Sequence, residues 1–396
     1  MTLADKSFER ILLIKLSAIG DVIHSIPLAN ALRRHYPRAR IDWLSKPTPA
    51  EFIRDLPAID EVLIYGEHHT EVPRYNWDGV THFVRLIRDH RFLAMLSRLR
   101  AARYDLVIDL QGQMRSGFVS MVTGAPVRIG FDRPRESVWE IEGRGLSPGT
   151  IKRVWKGARE GSWLAYTHHV KLPTLTIHAV DRNLLVGDLL GFARETPDFS
   201  ISIRAHSERH VDELFRDLVR TTSRPPIVIT PAALWETKRW RAEGFAAVAR
   251  HFLAKGYPVI VAGAPNEVAE CAGIAAQAPG AVVFAGLTTL PELTALIRRC
   301  AIILTNDSGP LHLATALGKA VVTIFGPTNP VWVGPYRTPQ ALLTAGLACS
   351  PCYLRDLARC PHDHACMRGI SAERVIDAME AQLNRAPISV ESREGL

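Results

Sequence analysis

Runs of four or five apolar, largely β-branched residues alternate along this chain with segments whose apolar positions recur at helical spacing. In the first half the pattern predicts strands over 11–14, 41–44, 61–65, 106–110 and 127–129. Helices are predicted over 22–35 and 86–101, and another beyond Gly112. In the second half strands are predicted over 227–230, 259–263, 282–284, 302–305 and 320–325. Helices over 243–255, 268–276, 291–300, from Pro310 and over 372–384 separate and follow them. Apolar strands alternating with amphipathic helices mark a parallel sheet covered on both faces, so the expected fold class is α/β and doubly wound.

At 396 residues the chain is long for one domain, and the pattern itself repeats, which predicts two Rossmann-like domains. Between Asp132 and His178 the periodicity gives way to charged, Gly- and Trp-containing sequence, the composition of a functional loop or lid. A helix near 181–191 follows, and 196–200, with Pro197, suits a hinge. The expected division is 1–195, then 196–370 with a Cys-rich loop at 349–366, then a helix and tail over 371–396, frayed beyond Pro387. In such sheets ligands bind at the carboxyl ends of the strands, so the loops there are the places to look for chemistry.

Composition narrows the class. With 47% hydrophobic and 22% charged residues the chain is an ordinary globular protein. No apolar run approaches the ~20 residues of a spanning helix, and the apolar stretch after Arg10 is interrupted at Lys15, too soon for an export signal. A cytoplasmic location is expected. The net charge of +8 favours an anionic partner, but no Lys/Arg-rich block argues for nucleic acid. The absence of G-x-x-x-x-G-K-[ST], and of G-x-G-x-x-G after the first strand, disfavours a P-loop kinase or simple dehydrogenase.

Five loops carry candidate chemistry. The first reads Lys15-Leu-Ser-Ala-Ile-Gly-Asp-Val-Ile-His-Ser-Ile-Pro27, turning through Ser17 and Gly20 into a helix at Asp21. An acid there either caps the helix or serves as a general base at the strand's carboxyl end, although a helix N-terminus favours the ionised form. Thr305-Asn-Asp-Ser-Gly-Pro-Leu-His312 joins an apolar strand to a helix opened by Pro310. Its Ser308–Gly309 junction would offer N–H groups to a diphosphate, while Asp307 suits a turn or sugar hydroxyls. Phe325-Gly-Pro-Thr-Asn-Pro330 is a rigid loop on the same sheet edge. Trp235-Glu-Thr-Lys-Arg-Trp240 puts Lys238 and Arg239 where they would neutralise a departing diphosphate, or merely begin a solvated helix. Glu267, after another strand, would grip ribose hydroxyls or cap a helix.

Six cysteines are present, and Cys349, Cys352, Cys360 and Cys366 fall in one short loop. In a cytosolic chain this clustering points to a structural zinc or iron, to reduced thiols or to redox disulfides, with His362 and His364 as substitute ligands. Cys271 and Cys300 sit alone in apolar patterns and read as core.

Together, Lys15–Pro27, Lys238–Trp240, Asn306–His312 and Phe325–Pro330 resemble glycosyltransferase family 9, the bacterial heptosyltransferases of the lipopolysaccharide inner core. The resemblance implies a GT-B fold: two doubly wound Rossmann-like domains facing a cleft, acceptor domain first, with a C-terminal helix crossing back. It implies inverting transfer of heptose from ADP-heptose with no cofactor required for catalysis. Asp21 would be the base, Lys238 and Arg239 would meet the diphosphate, Glu267 the ribose, and Asp307, Ser308, Gly309 and His312 the donor sugar and phosphates. Ser17, Arg128, Arg133, Arg135 and His178 look similar to acceptor-side elements, suited to the anionic Kdo and lipid A phosphates. Such an acceptor is lipid-linked, so contact with the inner membrane is expected at its cytoplasmic face, through basic and apolar surface near Arg85, Arg88 and Arg91. The apolar Ala233-Leu234-Trp235 departs from the family pattern and leaves the exact sugar open. Other readings are a transferase using another nucleotide sugar or a protein acceptor, and a non-hydrolysing nucleotide-sugar epimerase.

Overall fold

The structure, a computed structural model, describes residues 2–66, 89–139, 152–174, 176–192, 196–219, 224–338 and 342–385. The described residues form two compact units, one ending at Ser202 and the other starting at Ile203.

In the first unit, strands β1 (Arg10–Ile14), β2 (Arg40–Ser45), β3 (Glu61–Ile64), β4 (Leu106–Asp109) and β5 (Val127–Phe131) are those expected from the apolar runs. Helices α1 (Ile19–Ile23), α2 (Ile26–His35), α3 (Pro47–Ile53), α4 (His90–Ala101) and α5 (Met114–Val122) lie between them. The helix expected over 22–35 is two helices. Proline has no N–H and its ring crowds the carbonyl four residues back, so Pro27 can only stand near a helix start. The break at His24–Ser25 is held by Ser25 Oγ donating to the Asp21 carbonyl at 2.9 Å. Asn183 Nδ2 donates to the His24 carbonyl and to Ser25 Oγ, both at 3.1 Å.

The stretch expected to be a loop, 132–178, contains more structure than its composition suggested. Strand β6 (Arg135–Trp139) pairs antiparallel with β7 (Lys152–Lys156), and a 3-10 turn spans Ser162–Ala165. Strand β8 (His168–Val170) then pairs with β5 as the sixth strand of the sheet. Its three residues, His-His-Val, form no apolar run, and an edge strand does not require one. Helices α6 (Ala179–Leu184) and α7 (Val186–Leu190) complete the unit.

The second unit opens with α8 (Ala205–Val219), which the sequence pattern had not shown. It continues through β9 (Ile227–Thr230), α9 (Ala242–Ala254), β10 (Val259–Val261), α10 (Val268–Ala276), β11 (Val282–Val283) and α11 (Leu290–Arg299). Then come β12 (Ile302–Asn306), α12 (Gly309–Ala316), β13 (Val321–Phe325), α13 (Pro330–Val333) and the short edge strand β14 (Leu342–Thr344). Two helices close it, α14 (Ala365–Arg368) and α15 (Ala372–Leu383). The last buries Val375 and Met379 in this unit's own core, beside Phe245 and Phe252 of α9.

The two sheets share one topology. Their orders, β3-β2-β1-β4-β5-β8 and β11-β10-β9-β12-β13-β14, both correspond to 3-2-1-4-5-6 within the unit, and every pairing is parallel. The winding reverses between β1 and β4 in one unit and between β9 and β12 in the other, which opens a crevice beyond the carboxyl ends of those strands. The fully buried strands Ile11–Ile14 and Ile227–Ile229 leave only their following loops free to meet a ligand.

Candidate active site

Each crevice is lined by loops already singled out for their chemistry. In the first unit the chain leaves β1 at Lys15, whose side chain turns inward. Its Nζ donates to the Leu110 carbonyl at 3.1 Å and lies 3.8 Å from Asp21 Oδ2. Burial pushes the Lys15 ammonium below its ordinary value; Arg182 and Arg159 act the same way, and Asp21 and Asp109 oppose them. Arg182, in the last turn of α6, is also lowered by burial, with Asp21 again opposing and Arg159 adding. Asp21 Oδ2 accepts from the Ala18 N–H at 3.3 Å, so the acid does cap its helix. Yet its side chain remains 40% exposed. The two readings of Asp21 are therefore compatible: one carboxylate can order the turn and still present an oxygen to a ligand.

Across the crevice, Gln111 Oε1 accepts from the Leu16 and Ser17 N–H groups at 3.1 and 3.4 Å, tying the loop after β4 to the loop after β1. Asp109, the last residue of β4, is buried. Its Oδ1 accepts from the Gln111 and Gly112 N–H groups at 2.8 and 3.1 Å, and Tyr166 donates its hydroxyl to Oδ2 at 2.8 Å. The Tyr166 ring reaches that position because residue 130 is glycine; a Cβ there would sit 2.3 Å from the ring. Desolvation raises the Asp109 carboxyl above the ordinary 3.8, against those three hydrogen bonds. Lys15, Asp109, Gln111 and Arg159 were not assigned roles from sequence, although an acid ending an apolar strand, as in Leu-Val-Ile-Asp109, is a visible signal.

Asp109 has a measurable consequence. A carboxyl raised on folding binds more protons in the native than in the unfolded state, so it contributes stability at low pH that is lost as pH climbs through its folded value. Asp109→Asn keeps an acceptor for both N–H groups and removes the titration. The unfolding free energy of the variant relative to the native chain is expected to rise with pH above 3.8, as read by denaturant melts across the acid range.

The acceptor-side residues fall in different places. His178 caps α6, its Nδ1 accepting from the Val180 N–H at 3.2 Å, and its ring packs edge-on to His24. Arg128 stands near the amino end of β5, where Nε and Nη1 donate to the Ala165 and Ala125 carbonyls at 2.8 and 2.6 Å. Its register partner is Val107, two residues before the end of β4, so it is not brought to the Asp21 crevice. Arg133 follows β5 and is exposed. The backbone of Arg135 pairs with Lys156 in the β6–β7 ladder.

In the second unit the central feature is an ion pair. Lys238 Nζ, from the 3-10 turn Glu236–Lys238 after β9, lies 2.6 Å from Asp307 Oδ2, just past β12. Thr328, after β13, donates its hydroxyl to the same oxygen at 2.6 Å. Buried Asn306 joins the flanking loops, accepting from the Trp240 N–H at 3.2 Å and donating to the Pro231 carbonyl. Ser308 Oγ lies 3.1 Å from Thr305 Oγ1, and Ser308 takes the extended backbone of an N-cap before α12. Gly309 opens that helix and His312 is buried one turn along it. Lys238, Asp307 and the Ser308–His312 helix start thus share the switch point. Arg239 is occupied by the Ala233 carbonyl at 2.9 Å and Glu270 at 3.1 Å. Glu267 caps its turn through the Ala264 N–H at 2.7 Å, one strand over, as a capping acid would.

The structural metal expected at the cysteines is not supported. Among the described residues no group of three or more His, Cys, Asp or Glu side chains is arranged to hold a metal ion. Cys366 is buried on α14 against Gly326 and the core, whereas Cys349, Cys352 and Cys360 are half-buried in the loop before it. Burial first, and the other three thiols second, push the Cys366 thiol up to about 12. His364 is not available as a substitute ligand through Nε2, which lies 2.8 Å from the Thr237 carbonyl oxygen.

Two units wound in the same 3-2-1-4-5-6 order, each with charged loops at its switch point, have the GT-B fold of nucleotide-sugar enzymes. Within that class the chain belongs to glycosyltransferase family 9 (heptosyltransferase), whose model matches residues 92–142 and 147–359. Among similar proteins, the lipopolysaccharide core heptosyltransferase OpsX of Haemophilus influenzae is 25% identical over 85% of this chain and 84% of its own length. Lipopolysaccharide heptosyltransferase 1 of Pseudomonas aeruginosa is 25% identical over 94% and 98%. A solved family 9 glycosyltransferase from Veillonella parvula superposes with a TM-score of 0.70 at 23% identity, covering 98% of this chain and 99% of that one. Escherichia coli heptosyltransferase WaaC with ADP gives 0.64 at 20% identity, covering 94% and 97%. Family membership makes the chain a glycosyltransferase and sets the epimerase reading aside.

Proposed function

We propose that this enzyme transfers heptose from ADP-heptose to the Kdo or inner-core region of lipopolysaccharide, with inversion and without a catalytic metal. The observation that carries the reading is Asp21: a half-exposed carboxylate past the carboxyl end of β1, bordered by Lys15 and Arg182, in a family 9 chain. Asp21 takes the proton of the acceptor hydroxyl as its oxygen bonds to the anomeric carbon. The bond from that carbon to the diphosphate breaks on the opposite face, and its electron pair leaves on the β-phosphate oxygen. Lys238 neutralises that oxygen, the task a divalent cation performs in other transferases, and the α12 N-terminus adds its dipole. Ser308, Gly309 and His312 border the donor, Glu267 reaches the ribose from its turn, and Asp307 receives sugar hydroxyls once Lys238 moves to phosphate. Lys15, Arg159 and Arg182 give the first crevice the positive field that an anionic acceptor needs, with Ser17 and Arg133 on its rim. The names of the two curated relatives support lipopolysaccharide core as acceptor, and an Escherichia coli enzyme of this fold solved with ADP-2-deoxy-2-fluoro heptose supports the donor.

The test is transfer from ADP-heptose to Kdo-bearing lipid A with and without EDTA, with the anomeric configuration of the product read by NMR. EDTA-resistant, inverted product is expected. Tight ADP binding with no transfer to Kdo or to heptosylated core would sink the acceptor assignment and point to another sugar or a protein acceptor.

Among the described residues no helix is long and apolar enough to cross a membrane. The proposed location is cytoplasmic and peripheral, at the inner leaflet where the acceptor's lipid anchor lies. Of the three arginines considered for that contact, Arg85 and Arg88 lie outside the described residues, and Arg91 is exposed at the start of α4. A high-salt wash is expected to elute the protein from membranes, because a basic surface held by anionic lipid is screened within about 10 Å at 0.1 M salt. Retention after the wash would refute electrostatic docking.

A further inference from the structure

The cysteine-bearing segment between β14 and α15 has no role in the chemistry above, yet it grips the second crevice on both sides. On one side, Thr237, beside Lys238, is buried and donates its hydroxyl to the Leu354 carbonyl. The Thr237 carbonyl in turn lies 2.8 Å from His364 Nε2, which must carry the proton because a carbonyl only accepts. On the other side, the Tyr353 N–H donates to the Pro327 carbonyl at 2.7 Å, and Tyr353 Oη accepts from the Asn329 N–H at 3.2 Å. Thr328, the residue between Pro327 and Asn329, is the one that donates to Asp307. The segment is thereby fixed to both loops that hold the Lys238–Asp307 pair.

That anchoring places Arg355. Its guanidinium carbon lies 4.7 Å from the centre of the Trp235 ring, and Lys238 Nζ lies 4.5 Å from the same centre. Two cations thus share one indole at the switch point, where Asp307 holds Lys238 and the Thr328 hydroxyl. Arg355 is exposed, unlike Lys238, and a planar guanidinium over an indole is well suited to bidentate phosphate contact. We propose that Arg355 is a donor-binding residue: it contacts the terminal phosphate of the nucleoside diphosphate, beside Lys238. The proposal rests on reading this switch point as the diphosphate site.

Calorimetric titration of the full chain with ADP and with AMP tests it. Arg355→Ala is expected to weaken ADP binding roughly tenfold, the scale of one charge-assisted contact, and to lessen its salt dependence. AMP, which lacks the terminal phosphate, is expected to bind the variant as it binds the native chain, and Arg355→Lys is expected to recover part of the ADP affinity. Arg216→Ala, an exposed arginine on α8, controls for net charge and is expected to change neither titration. Equal losses for ADP and AMP would show a structural role and overturn the proposal, as would unchanged ADP binding. If the native chain bound no ADP, the diphosphate reading of the whole crevice would fall first, a result distinct from a native-like Arg355→Ala.

Discussion

Asp21→Ala is expected to lower kcat about a thousandfold while leaving ADP affinity within twofold of native, the middle of the range for removing a positioned general base. The two readouts belong to different units: Asp21 lies in the first, and the proposed donor residues lie in the second. The variant should fold. It loses a 3.3 Å capping bond worth about 1 kcal/mol and the carboxylate 3.8 Å from the buried Lys15 ammonium, a partial loss of stability that thermal melts would register. Asp21→Asn sharpens the test, because the amide can still accept from the Ala18 N–H but cannot take up a proton. Equal loss in both variants assigns the effect to proton transfer. Recovery in Asn would instead make the capping bond the essential feature and remove Asp21 as the base. Steady-state ADP release with ADP-heptose and a Kdo acceptor, alongside calorimetric ADP titration, reads both quantities.

How much of this was legible in the sequence depends on the length of each element. Buried parallel strands must be apolar on both faces, so Ile11–Ile14 and Ile227–Ile229 could be seen without the structure. His168–Val170 and Leu342–Thr344 could not: each is three residues at a sheet edge, and three residues carry no period. Pro27 was visible, but that it splits a helix depends on Asn183 arriving from α6 to satisfy the break. Asp21 and Lys238 stood out as candidates in the sequence because each follows a strand end. Partnerships were not, since the Lys238–Asp307–Thr328 triad joins three loops that meet only through the strand order. The cysteine spacing correctly gathered four thiols but not their directions. Cys366 is drawn inward by the short helix Ala365–Arg368, against Gly326, where any Cβ would lie 2.7 Å from its sulfur. A metal site needs convergent side chains, and linear spacing does not report convergence.

Lys238→Met is expected to cost both stability and turnover, and combining it with Asp307→Asn is expected to separate the two. The pair is nearly dry, with side-chain exposures of 16% for Lys238 and 4% for Asp307. Removing the lysine alone strands a buried carboxylate that accepts from the Thr328 hydroxyl, at a cost of about 3 kcal/mol. In a unit of this size that corresponds to a drop of roughly 6–12 °C in Tm. The amide of Asp307→Asn still accepts from Thr328 and carries no charge to desolvate, so the double variant is expected to regain most of the lost stability. Turnover should not follow, because a preorganised cation at the leaving diphosphate is worth about a hundredfold or more in kcat, and nothing in the second substitution replaces it. Calorimetric melts beside steady-state ADP release would read the two effects on the same preparations. Recovery of both in the double variant would mean that Lys238 serves only to neutralise Asp307, and the positive charge for the leaving group would then have to come from elsewhere on the crevice rim, with Arg355, over the same indole, a candidate.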